Sequence, residues 1–231
     1  IDAGDNAAYA LDNADITGNS RVQGDTVDIG AMEFDPSAKA VAFSPVKSEI
    51  FLGETVSFKA DVSSSVSPSS YSWAVTNSSG DVVHASSGET LSFTPDSYGS
   101  YGVSLAVVSG AETLSYEIGG AITVTSPNIY VSSDADENSA VAPFATEETA
   151  TTSLSEAMKW AIDGSEVFVK GTNTASVNVS KAVTLTGVGG RNAAMITPSS
   201  GRAAVIRHPK ATVRNLTLNG GNSYAGSGAY V

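Results

Sequence analysis

The sequence of 231 residues contains no cysteine. Disulfide bonds and thiol chemistry are therefore excluded for these residues, and the absence is compatible with a bacterial secreted protein. There is also no run of about 18 apolar residues, so no transmembrane helix is predicted. A basic segment followed by an apolar one, which marks a signal peptide, is missing as well, and we expect any such peptide to lie outside this sequence.

Positive charge is scarce. Twelve lysines and arginines stand against 24 aspartates and glutamates, which gives a net charge of −12. This acidity argues against nucleic acid as a partner. The acids stop at Glu166, however, and the charged residues after it are all basic. This basic part either attracts an anionic glycan or forms the exposed outer face of a repeat structure, and we favour the second interpretation.

A matched catalytic set is missing too. His84 and His208 have no serine or aspartate partner in sequence, and the Ser-x-x-Lys motif at 44–47 is interrupted by Pro45 and lacks companion motifs. Because no acid follows Glu166, that part cannot supply the paired carboxylates of a glycoside hydrolase or the acidic Ca²⁺ cluster of a lyase. We therefore predict that the chain is not an enzyme.

One acidic loop provides weak candidates for a metal site. Asp134, Asp136 and Asn138 imitate the first half of an EF-hand loop, whose oxygen ligands suit Ca²⁺. Ser139 replaces the required glycine and Ala145 stands in place of the bidentate glutamate, so the full pattern fails. We predict no cofactor, with calcium at a looser site as the alternative. A second loop offers the same chemistry through Asp2, Asp5 and Asp12.

What the sequence does contain, over residues 40–126, is a series of short runs in which apolar and polar residues alternate. They lie at 41–43, 55–62, 71–75, 91–93, 101–107 and 118–124. This period of two gives each strand one buried and one solvated face, and turn residues separate the runs. About seven such strands predict a sandwich of two sheets. We expect Trp73 in its core and Tyr101 at a corner where its hydroxyl bonds to nearby backbone.

Three motifs of this stretch are Tyr-Ser-Trp at 71–73, Phe-Thr-Pro at 93–95 and Gly-Ser-Tyr-Gly-Val-Ser-Leu at 99–105. Together they resemble the PKD family, named for the polycystic kidney disease protein. The resemblance implies a PKD-like or closely related immunoglobulin-like β-sandwich over residues 36–127. Such modules usually act as spacers or as adhesion units.

The C-terminal part changes to one helix followed by short strands. Ser153 and Glu156 form a capping box, which predicts a helix from Leu154 to about Asp163 with Gly164 at the C′ position. This helix is expected to cover the open end of a stack of strands. The strands have irregular intervals, so no strict repeat can be counted. They are predicted at 167–169, 177–179, 183–185, 195–196, 205–206 and 213–218.

This order, ending in Asn-Leu-Thr-Leu-Asn-Gly-Gly at 215–221, resembles the start of a right-handed, pectate-lyase-like parallel β-helix. The resemblance assigns residues 128–231 to a capping helix and the first coils of a truncated β-helix. It also implies that Asn215 and Asn219 stack inside the turns between strands. Each coil of such a fold buries its apolar face only by stacking on its neighbours.

The motifs at 1–6, 17–21 and 27–34 resemble the closing segment of a β-helix in bacterial surface proteins, where Asp-Ile-Gly-Ala-x-Glu is common. Residues 1–35 are therefore interpreted as the end of a preceding β-helix. Because an unfinished β-helix leaves a strand edge open, we expect residues 1–35 to cover that edge, or a second copy of the chain to do so by self-association.

These features predict an all-β, non-catalytic module of a large bacterial protein that is secreted or displayed on the cell surface. The expected role is adhesion through contact with a polysaccharide or a host-surface glycan, or that of a spacer. The alternative is a fragment of a polysaccharide lyase or glycoside hydrolase whose active site lies on coils beyond residue 231.

Overall fold

The structure is a computed structural model that describes residues 20, 22, 39–220 and 228–230. The segment 1–35, predicted to end a preceding β-helix, lies outside the described residues apart from positions 20 and 22. The acidic loop at residues 2–12 lies outside them entirely. The described part consists of seventeen strands and one short helix, which confirms the all-β class.

Eight strands form the first half. They are β1 (Val41–Ser44), β2 (Ser48–Phe51), β3 (Val56–Val62), β4 (Ser70–Thr76), β5 (Val82–Ser87), β6 (Thr90–Phe93), β7 (Gly99–Ser109) and β8 (Glu112–Thr125). A three-stranded antiparallel sheet has the order β1-β3-β6, and a five-stranded sheet has the order β2-β8-β7-β4-β5. All pairs are antiparallel except β2 with β8, which is parallel.

One hydrophobic core joins these two sheets because each strand turns every second side chain inward. Phe43 and Phe58 come from the three-stranded sheet, and Trp73 comes from the other. The Phe43 ring centroid lies 5.5 Å from that of Phe58 and 5.6 Å from that of Trp73. Trp73 also donates its indole N–H to the Gly88 carbonyl at 2.9 Å, so its one polar atom is satisfied inside the core.

Two strands of this half were not predicted from the sequence. In β2 only Ile50 is buried, so a run of four residues has too little alternation to be noticed. β5 lies at the edge of its sheet and none of its side chains is buried, which leaves it without an apolar face. The hairpin from β7 to β8 is also longer than predicted, and Gly110, with φ +64°, makes its tight turn.

The second half contains the helix and nine strands. They are β9 (Asn128–Ser132), α1 (Leu154–Trp160), β10 (Glu166–Asn173), β11 (Val177–Val179), β12 (Thr184–Gly187), β13 (Ala194–Ile196), β14 (Ala204–Ile206), β15 (Thr212–Arg214), β16 (Thr217–Leu218) and β17 (Ala229–Tyr230). All strands pair in parallel, in three sheets of order β9-β10-β12-β15, β10-β13-β16 and β11-β14-β17. Because the chain visits the three sheets in turn, it runs in successive coils.

The coils differ in length. Val167 stacks on Leu185, which is 18 positions later, whereas Leu185 stacks on Val213, which is 28 positions later. Loops of unequal length between short strands therefore hide the repeat in the sequence. The side chains that point into the coils form a second hydrophobic core, which α1 closes at one end through Leu154 and Ala157.

Corners between the sheets depend on residues with positive φ. Gly171 (φ +74°) bends β10 from one sheet into the next, and a Cβ there would lie 1.9 Å from the Ser133 hydroxyl oxygen, so only glycine fits. Asn215 (φ +54°) makes the equivalent bend between β15 and β16. The single strand predicted over 213–218 was therefore wrong, because this corner divides it between two sheets.

The helix differs from the prediction at both ends. It ends at Trp160, and the C-cap Ala161 is already extended, so Gly164 (φ +91°) belongs to the turn before β10 and is not the C′ residue. At the start, the Ser153 hydroxyl accepts the Glu156 amide N–H at 3.3 Å, which is half of a capping box. The other half is missing, because the Ser153 amide donates to the Thr151 hydroxyl instead.

Candidate functional site

A cleft of about 280 Å³ lies beside β9. It forms because the loop between β9 and α1 folds back along that strand. The Tyr130 amide donates to the Phe144 carbonyl at 2.8 Å, and the Ser132 amide donates to the Thr151 carbonyl at 3.0 Å. We call it the β9 cleft, and the side chains that matter for its chemistry are Tyr130, Asp134, Asp136, Glu147, Glu148 and Lys170.

The charge in the β9 cleft is unbalanced. Four carboxylates face one ammonium group, that of Lys170, which is exposed near the corner of β10. Among the described residues, Lys170 forms no ion pair. The cleft therefore presents several hydrogen-bond acceptors together with one strong, uncommitted donor.

An aromatic side chain forms one wall of the β9 cleft. Tyr130 on β9 lies in register with Phe168 on β10, and the two rings stack with centroids 5.0 Å apart and planes 17° apart. Both side chains are partly exposed. Stacking on Phe168 holds the Tyr130 ring in one orientation, so a ligand that packs against this wall meets a surface that is already ordered.

Two of the residues proposed for calcium, Asp134 and Asp136, line this cleft, and local hydrogen bonds occupy both of them and Asn138. Oδ1 of Asp136 accepts the backbone and side-chain N–H groups of Asn138, both at 3.0 Å, and these bonds lower the pKa of the Asp136 carboxyl. Asp134 accepts the Ser133 hydroxyl at 3.0 Å. No group of three or more metal-ligating Asp, Glu, His or Cys side chains occurs in the described ranges. Calcium at this loop stays the alternative to the prediction of no cofactor.

Glu137 ties the same loop to the start of the helix. Its Oε1 accepts the Thr152 amide N–H at 2.8 Å and also the Thr152 hydroxyl. These two bonds hold the pKa of Glu137 below its usual value. The contact fixes the acidic loop over β9 and so shapes the cleft.

A polar network lies beside the aromatic pair on the same sheet. The Thr186 hydroxyl donates to the Glu166 carboxylate at 2.5 Å, and the Arg214 Nε–H donates to the Thr186 oxygen at 2.9 Å. Arg214 also forms an ion pair with Glu166. The Thr186 bond, followed by the bond and charge of Arg214, lowers the pKa of Glu166. The network links three consecutive strands, β10, β12 and β15.

The remaining residues singled out from the sequence lie elsewhere. Trp73 and Tyr101 are buried in the first core, and the Tyr101 hydroxyl donates to the Ser97 carbonyl at 2.8 Å. Asn215 and Asn219 are exposed, and the Asn215 backbone lies against Gly187 of the preceding coil. The stacking of these asparagines inside the turns stays a prediction. His208 accepts the Lys210 amide N–H within a turn.

Sequence reasoning did not single out Tyr130, Glu147, Glu148 or Lys170. In the sequence only the two adjacent acids at 147–148 stand out, and nothing there relates them to Tyr130 or Lys170. The four residues meet because backbone contacts with β9 position the loop that carries the acids. Among the described residues, no helix has the length and apolar character needed to cross a membrane.

Comparison with known proteins adds little. No protein-family model and no curated protein matches the chain. Among solved structures, it is similar to the crystal structure of an engineered protein, with a TM-score of 0.34 and 17% sequence identity. The alignment covers 42% of this chain and 22% of that protein, so the chain spans less than a quarter of its length.

Proposed function

We propose that this chain is a non-catalytic carbohydrate-contact module of a large bacterial protein that is secreted or displayed on the cell surface. The observation that carries the proposal is the β9 cleft, where a fixed tyrosine ring stands beside carboxylates and one ammonium group. Sugar rings pack their C–H faces on aromatic side chains, and their hydroxyl groups both donate to carboxylates and accept from ammonium groups.

The dimensions of the cleft suit a short stretch of glycan. Its volume of about 280 Å³ is close to the lower end of the range for small-molecule sites. A glycan that enters the β9 cleft meets the partly exposed ring of Tyr130 and, on the neighbouring strand, that of Phe168.

The same proposal includes the finer architecture. We assign residues 36–127 to a PKD-like or immunoglobulin-like sandwich, which the buried Trp73 and the bond from Tyr101 to the Ser97 carbonyl support. We assign residues 128–231 to the first coils of a right-handed parallel β-helix. The three parallel sheets visited in turn support this assignment.

A glycan array tests the function. The unmodified protein is compared with the double variant Glu147→Gln/Lys170→Met, which removes one charge of each sign from the β9 cleft. The matched control is Lys59→Met/Glu89→Gln, which breaks an exposed ion pair in the first half. We expect the cleft variant to lose about tenfold in affinity for its glycan, the equivalent of one charge-assisted hydrogen bond, and the control to bind as before.

The outcomes separate the alternatives. Failure to bind any polysaccharide or host glycan would leave the chain as a spacer. Equal binding by the cleft variant and the unmodified protein would show that the glycan binds outside the β9 cleft. Release of new sugar ends from a bound polysaccharide would favour the lyase or hydrolase alternative.

A further inference from the structure

The junction between the two halves is a short connection that is itself bonded into the structure. Only residues 126–127 separate β8 from β9. Ser126 is buried, its hydroxyl accepts the Asn128 amide N–H at 3.2 Å, and the Pro127 carbonyl accepts the Glu166 amide N–H at 2.8 Å. Proline also restricts the backbone at this point. A flexible linker, by contrast, leaves its backbone to the solvent.

The first half also caps the end of the helix that belongs to the second half. The last carbonyl groups of a helix lack partners within it. The Trp160 carbonyl accepts the hydroxyl of Thr125, the last residue of β8, at 2.8 Å. Thr125 is fully buried and Trp160 is half-buried, so the bond is partly shielded from competition with water.

A lysine also binds a carbonyl at the helix end. Lys181, in the turn before β12, donates to the Ala161 carbonyl at 2.9 Å, and its ammonium group lies 3.2 Å from the Glu49 carboxylate on β2. A cation at a helix C-terminus is favourable. One ammonium group thus joins the helix end, a coil turn and the first half.

Apolar contact closes the same junction. The Phe51 ring, at the end of β2, lies against the backbone of Gly164, where a Cβ would stand 3.7 Å from two ring carbons. The Gly164 amide donates to the Ala182 carbonyl at 3.0 Å, which places the adjacent turn within the same contact.

We infer that the first half serves as a built-in cap on the coils and that residues 39–220 form one rigid body with a fixed angle between the two halves. The inference does not depend on glycan binding. Its functional consequence is that the β9 cleft keeps a constant direction relative to the sheets that precede it, which a flexible tether would not provide.

Distance measurement between two spin labels tests this inference in the full chain, and the absence of native cysteine makes labelling specific. Glu117→Cys on β8 and Asn178→Cys on β11 place one label on each half at exposed positions. We expect one narrow distance distribution. The added substitutions Thr125→Val and Lys181→Met should broaden it, whereas Thr113→Val and Lys59→Met, at exposed positions away from the junction, should not.

Circular dichroism of each labelled variant establishes that the strands are still folded. A broad distribution of label-to-label distances in the protein with an intact junction would contradict the inference that the two halves form one rigid body. An equally narrow distribution in both double variants would overturn the role of the helix-end cap.

Discussion

Tyr101 shows how one side chain secures a turn of this fold. It is 5% exposed, and its hydroxyl is the donor that reaches the Ser97 carbonyl. Burial, with the nearby Asp96 charge, raises the pKa of Tyr101 and keeps the hydroxyl protonated. We expect Tyr101→Phe to lower the free energy of unfolding by about 1 kcal/mol, because the carbonyl loses its partner.

Urea unfolding measures this loss. The matched control is Tyr98→Phe, in the loop before β7, which alters a side chain that is 39% exposed and should change stability very little. A similar loss in both variants would show that the Tyr101 hydroxyl has no special role.

Glu166 gives a prediction with a defined pH dependence. Its pKa is lowered in the folded protein, mainly by the Thr186 hydroxyl and then by Arg214. The ionised carboxylate therefore stabilises the fold above the unfolded-state pKa of about 4.3, and this contribution disappears as the pH falls through the lower folded-state value. We expect Glu166→Gln to be less stable than the parent protein at neutral pH by about 1 kcal/mol.

The size of the difference between the two proteins should shrink as the solution is acidified, which urea unfolding at a series of pH values would detect. Glu89→Gln, which alters an exposed ion pair, is the control and should show a small difference throughout. A difference for Glu166→Gln that stays constant down to acidic pH would contradict the role of its charge.

Whether the surroundings of a single residue could be predicted from the sequence depended on how far apart in the chain the contacting residues lie. Trp73 and Tyr101 could be placed from the sequence because alternation within a strand determines burial, and the Tyr101 bond spans four positions. Glu147 and Lys170 could not be placed in a common cleft. Their meeting depends on a loop held to β9 by backbone bonds between residues that are far apart in the chain.

Among the elements, α1 gives the clearest test. The hydroxyl of Ser153 is the acceptor for the Glu156 amide N–H at the helix start, and Leu154 is buried directly after it. We expect Ser153→Ala to lower the free energy of unfolding by about 1 kcal/mol, which is typical of a lost N-cap. Ser155→Ala, at an exposed helical position, is the control and should leave stability equal or slightly higher.

Thermal unfolding followed by circular dichroism measures both variants. A loss of about 1 kcal/mol corresponds to a decrease in Tm of roughly 2–4 °C for a protein of this size. Equal midpoints for Ser153→Ala and the parent protein would mean that coil packing, rather than the cap, holds the first turn of the helix.

Element boundaries were predictable where local chemistry decides them and not where tertiary contacts do. The start of α1 was found because a serine cap is a local signal. Its end was placed too late, because the carbonyls of Trp160 and Ala161 are satisfied by Thr125 and Lys181, which are distant in sequence. The strand predicted over 213–218 failed for a related reason, since only the backbone shows that Asn215 turns a corner.

At the scale of the whole molecule, the described residues form two hydrophobic cores, and one tryptophan is associated with each. Trp73 is buried in the first core, and Trp160 packs against the second. The all-β class was predictable from alternation and turn residues. The contacts that cap the helix end could not be predicted from the sequence. They combine four segments that are distant in the chain, namely β2, β8, the helix end and the turn before β12.

Because contacts at the junction connect the two halves, we expect their two hydrophobic cores to unfold together. In the variant Trp160→Phe, Trp73 is the one remaining tryptophan. Tryptophan fluorescence, excited where tyrosine does not absorb, then reports on the first half alone, whereas circular dichroism reports on all strands. We expect the two signals to give one coincident urea transition, because the capped junction makes each half depend on the other. Adding Thr125→Val and Lys181→Met should separate the transitions, while adding Thr113→Val and Lys59→Met should not. Two separate transitions in Trp160→Phe, with Thr125 and Lys181 unchanged, would show that the halves are independent units.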